Sequence, residues 1–92
     1  MNAQVRLVSS QINDVEYLMH ILDAILDNTK DDTRPEDEKH DHIYSESAKT
    51  LAECGKIKMA EEVLRKIRDW NSRSTTKYII EDRLHYGNNE RS

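Results

Sequence analysis

Residues 51–64, LAECGKIKMAEEVL, set a glycine, Gly55, between two stretches of helical pattern. Upstream, Ile43, Tyr44, Ser47, Ala48, Leu51 and Ala52 recur at helix spacing. Downstream, Ile57, Ala60, Val63, Leu64 and Ile67 restart the stripe at once. Apolar residues at steps of three and four mark one face of a helix. A glycine between two such faces ends the first helix in a left-handed conformation that other residues avoid. Ala48 and Ala60 let the two helices approach closely, and Leu51 and Leu64 supply apolar contact. The stretch predicts a helical hairpin, with helix over 43–54 and over 56–70.

Working outward, residues 3–28 predict a first, long helix. Val5, Val8, Ile12, Val15, Met19, Leu22 and Leu26 alternate steps of three and four, and Leu18, Ile21 and Ile25 widen the stripe on one flank. A stripe this wide suits a bundle core better than a two-stranded seam. Residues 29–42 predict an acidic linker and a frayed helix start, because they hold no apolar residue. Within them Thr33 can cap, Pro35 suits a first turn and Glu36 stands three after Thr33. Past Trp70, Ser72 and Ser74 offer caps for a last helix over 75–86, with Tyr78, Ile79, Leu84 and Ile80 facing in. Residues 87–92 read as a mobile tail.

The bulk numbers agree with an all-α class, a small helical bundle in one domain over 1–92. Two glycines and one proline in 92 residues leave too little turn chemistry for a β-rich fold. The chain is 36% apolar and 35% charged, lacks Phe and has one Trp. Its core is therefore thin for a monomer, which a second copy or another protein would complete. Cys54 is the single cysteine, so no intrachain disulfide forms. The residues MNAQVRLVSSQIND carry no signal-peptide core, and no window approaches the 18 apolar residues of a membrane span. The expected location is cytoplasmic. The net charge of −4 hides an asymmetry: residues 1–48 carry 4 basic and 11 acidic residues, and residues 49–92 carry 10 and 7. Such a split steers charged partners.

The hairpin also resembles a single tetratricopeptide repeat over residues 41–74. That family uses a 34-residue helix–turn–helix unit with large and small residues at set spacings around a turn. Tyr44, Ala48, Leu51, Gly55, Ile57, Ala60, Leu64 and Ile67 match the spacing. The resemblance implies a close-packed antiparallel pair, and in arrays of repeats it implies peptide binding. Ser72 stands where the family has proline, and Asp14 and Asp82 stand where neighbouring repeats would need a small residue. The same features also describe an ordinary helical hairpin with a glycine turn.

Candidate chemistry is sparse, and the expectation is that the protein is not an enzyme and needs no cofactor. DEKHDH (37–42) groups metal-type side chains, but His40 and His42, two apart, diverge on a helix. A carboxylate–His pair at i and i+4 does not complete a site, so no metal is expected. Lys56, Lys58, Arg65, Lys66, Arg68, Arg73 and Lys77 cluster around the third helix, and a short glycine turn between helices resembles a DNA-binding helix-turn-helix. The acids Glu61, Glu62 and Asp69 interrupt that surface and would repel phosphates. Nucleic acid is thus a weaker expectation than protein. The favoured function is a non-enzymatic protein–protein interaction or adaptor module, with the first helix as the surface for self-association. The alternative is a small acidic inhibitor of the phage type that blocks a host or defence complex. Partner contacts are expected at Asp23, Asp27, Asp31, Asp32, Glu36, Asp37, Glu38 and Asp41.

Overall fold

The computed structural model describes residues 2–29 and 33–91. The fold is all-α, with α1 (Asn2–Gln11), α2 (Val15–Asp27), α3 (Glu36–Glu53), α4 (Ile57–Leu64) and α5 (Trp70–Arg91). The central helix is α3, which packs against each of the others. No strand occurs among the described residues, and no helix among them is long and apolar enough to cross a membrane.

The expected hairpin is present, and its turn has a specific form. Gly55 has φ of 81°. The Gly55 N–H donates to Ala52 O at 3.1 Å and the Lys56 N–H donates to Leu51 O at 2.8 Å. These two bonds are the Schellman closure of a helix C-terminus. Tyr44, Ala48, Leu51 and Ala52 of α3 are buried together with Ala60 and Val63 of α4. Cys54, beside the turn, is exposed.

The single helix expected over 3–28 is two helices. Asp14 caps α2: its Oδ1 accepts the Glu16 N–H at 3.0 Å, and its backbone is extended. The carbonyls left over at the end of α1 are met by Lys56, whose Nζ donates to Ser10 O at 2.8 Å and to Ile12 O at 3.0 Å. Helix ends leave such carbonyls without intrahelical donors, and a cation there also suits the helix dipole. The break turns α2 relative to α1. Leu18, Leu22 and Ile25 become the α2 core, while Val8, Ile12, Val15, Met19 and Leu26 of the expected stripe are only partly buried.

The expected frayed segment 36–42 is helical and held down by polar contacts. Lys39, 7% exposed, donates from Nζ to Thr29 O at 3.2 Å beyond the end of α2. Asp41 Oδ1 and Oδ2 accept the backbone N–H groups of Arg68 and Asp69, both at 3.0 Å. Pro35, not Thr33, occupies the cap position of α3 and bonds through its backbone alone. Glu36, Asp37 and Glu38 fill the first turn, where acids suit the dipole.

The helix expected over 56–70 ends at Leu64. Asp41 supplies acceptors for Arg68 and Asp69, so a connection forms there in place of further helix. Asp69 then caps α5, its Oδ2 accepting the Ser72 N–H at 2.9 Å. The expected caps Ser72 and Ser74 therefore lie inside α5, which starts at Trp70 rather than 75 and continues through the expected tail to Arg91. Thr76 and Ile80 are its buried contacts with the bundle, and the Thr76 hydroxyl lies 2.7 Å from that of Ser45. Tyr78, expected inside, is 71% exposed. The side chain of Leu84 lies outside those described.

Candidate functional site

Two surfaces of opposite chemistry flank α5. The first is a groove of about 810 Å³ between α3 and the start of α5. It gathers Asp37, Glu38 and Asp41 from the expected acidic contacts, with His42 and Arg68 beside them. Asp23, Asp27 and Glu36 do not line it, and Asp31 and Asp32 lie outside the described residues.

Most of the charge in this groove is engaged. Asp41 is 6% exposed and serves as the anchor of the α4–α5 connection. Burial alone would raise its carboxyl pKa. The Arg68 and Asp69 N–H donors and His40 outweigh burial and hold it below the usual value. Asp37 pairs with Arg68 Nη1 at 3.0 Å, both side chains being largely in solvent. Outside the groove, Asp23 accepts the Tyr44 hydroxyl at 2.8 Å. Burial, then this carboxylate, pushes the Tyr44 phenol well above its ordinary value. Among the described acidic residues expected as partner contacts, Asp41 alone is buried, Asp23 is exposed but bonded to Tyr44, and Asp27, Glu36, Asp37 and Glu38 are exposed.

The second surface is a groove of about 530 Å³ between α4 and α5. Trp70, Arg73, Ser74 and Lys77 line it from α5, at i, i+3, i+4 and i+7, one face of a helix. Glu61 and Leu64 line it from α4 and Arg65 from the cap position that follows, again at i, i+3 and i+4. Trp70 is 68% exposed. Arg73 Nη1 donates to Ile67 O at 3.4 Å, which ties its guanidinium to the connection between the helices. Arg65 pairs with Glu62 at 3.2 Å at the solvent edge. Three cationic side chains and one carboxylate therefore surround an open indole.

Reading the sequence placed Trp70 at the end of a core stripe. Its neighbours Arg73 and Lys77 were visible as basic residues. What turns them into a face with Trp70 is that α5 begins at Trp70, and the signal for that was Asp69 with Ser72 three residues on.

Among the described residues, no group of His, Cys, Asp and Glu side chains is placed to hold a metal ion, and none of their buried side-chain polar atoms lacks a hydrogen-bond partner. No protein-family model matches the chain, and neither the curated proteins nor the solved structures contain a match to it.

Proposed function

We propose that the protein is a non-enzymatic protein–protein interaction module that makes contact through the outer face of α5 and the groove beside it. The observation that carries this reading is the solvent exposure of Trp70 and Tyr78, 68% and 71%, on a helix whose inward contacts are made by Thr76 and Ile80. Large aromatic side chains left in water lose apolar surface when a partner covers them. Trp, Tyr and Arg are also the residues that most often dominate interface energy. The exposed acids Asp27, Glu36 and Glu38 form a separate surface of opposite sign, suited to a basic region of the same or another partner.

Single-stranded nucleic acid is the second reading, favoured by three cations beside a Trp on which a base can stack. Glu61 in the groove argues against it, since a carboxylate there repels phosphate.

Affinity capture from the source cells tests the interaction reading. The wild type should retain specific proteins that a Trp70→Ser, Tyr78→Ser variant of unchanged Tm does not. Identical recoveries from the two baits would refute a role for this face. A salt-sensitive gel shift with an oligonucleotide, absent from the variant, would favour the second reading instead.

A further inference from the structure

We infer that the α4–α5 groove receives an acidic segment of a partner protein, seated by one aromatic or aliphatic side chain against Trp70. This deepens the interaction reading and rests on it. The argument is charge complementarity around an apolar floor. Leu64 is half-buried between the helices, and Trp70 stands beside it in the same groove. Arg65, Arg73 and Lys77 rim that floor, with Glu61 the one acid among them. Arg65 and Arg73 each have further N–H donors beyond the bond each makes within the chain. A carboxylate accepts two such donors side by side. Partner acids would therefore meet the rim while an apolar residue displaces water from the indole. A basic segment would be repelled by the same rim, so the surface discriminates by sign as well as by shape.

The groove also draws on the uneven charge of the chain. The second half carries the excess of basic residues although the whole is acidic, at −4. Much of the first half's acid is used in the fold or lies beside α3. Arg65, Arg73 and Lys77 of the second half lie at this groove, where their field steers an acidic partner.

Trp70 is the single tryptophan of the chain, so intrinsic fluorescence reads this groove directly. The probe is a displayed library of random twelve-residue peptides, panned on the intact protein and counter-selected on an Arg73→Glu, Lys77→Glu variant whose Tm matches the wild type. Enriched peptides should be net acidic and carry a Trp, Phe or Leu. As synthetic peptides they should shift Trp70 emission, weaken as salt rises, and bind the variant at least about tenfold more weakly. Neutral or basic enriched peptides would overturn the proposal, as would equal binding to the variant or no enrichment. A random single-stranded oligonucleotide that shifts Trp70 emission at lower concentration than the peptides would assign the groove to nucleic acid and overturn it too. So would a salt-sensitive shift on concentrating the protein alone, because the occupant would then be a second copy. Successful capture from cells with failed peptide selection would leave the interaction reading standing and remove only the acidic partner.

Discussion

Gly55 terminates α3 at a φ of 81°, and a Cβ added there would meet no atom within 4 Å. The demand for glycine is therefore one of backbone conformation, with no steric contribution from neighbours. Gly55→Ala should cost about 1 kcal/mol, a fall of about 4 to 8 °C in Tm for a chain of this size. Gly55→Asn should cost less, because asparagine tolerates the left-handed region. Thermal melts of both variants check this, and equal losses would mean that a side chain at this position is excluded for some other reason. Asp41 is a residue of a different kind, a carboxylate shared between two backbone donors. Its pKa in the fold lies below the value of about 3.9 for an unstructured aspartate. Its contribution is then fully present above that value and lost as pH falls through the folded one. Asp41→Asn should destabilise by about 2 kcal/mol at neutral pH, and in urea melts the gap from wild type should begin to narrow below about pH 4 and go on narrowing as the pH falls. A gap of the same size at neutral pH and at the acid limit of the native state would mean that the carboxylate charge is not what matters.

At the scale of the element, helix ends organise this fold more than helix faces do. Asp14 starts α2, Asp69 starts α5, and Lys39 and Lys56 bond to carbonyls at the ends of α2 and α1. Asp14→Ala and Asp69→Ala should each cost about 1 kcal/mol, and chemical denaturation of the single and double variants measures both. Their effects should add, since the two caps serve different helices with no shared partner. This dependence on polar ends explains what the sequence made legible. The α3–α4 hairpin was readable because its determinants are local: a glycine flanked by alanines and leucines at helix spacing. The first turns of α3 read as frayed because they contain no apolar residue. What holds them is Asp41 reaching Arg68 and Asp69, and Lys39 reaching Thr29, partners with no fixed spacing in the sequence. The break before α2 was written in Asn13 and Asp14, but the heptad stripe running through it suggested continuity. The acidic stretch was visible as charge, whereas the division of its members between fasteners and exposed surface is set by tertiary contacts alone.

For the whole molecule, a small apolar inventory has a consequence for how aromatic side chains are used. Tyr44 is buried at the centre, against the His40 ring at a centroid distance of 4.4 Å, while Trp70, Tyr17 and Tyr78 remain in solvent. Unfolding in urea should therefore change Trp emission very little, although far-ultraviolet circular dichroism reports loss of helix. A large blue-shifted emission in the native protein, lost on dilution, would show that Trp70 is covered by another copy in solution.

Lys56 links the two halves of the molecule in a way that bears on the order of assembly. Its backbone N–H closes the hairpin turn, and its ammonium reaches carbonyls more than forty positions earlier, at Ser10 and Ile12. The first bond spans a few residues and the second encloses most of the intervening chain, so the loop-closure cost of the second is larger. The turn between α3 and α4 should accordingly form before the end of α1 has a donor to rest on. In stopped-flow measurements Gly55→Ala should slow folding, whereas Lys56→Met should chiefly speed unfolding. The first helix of the chain is then among the last parts to become native.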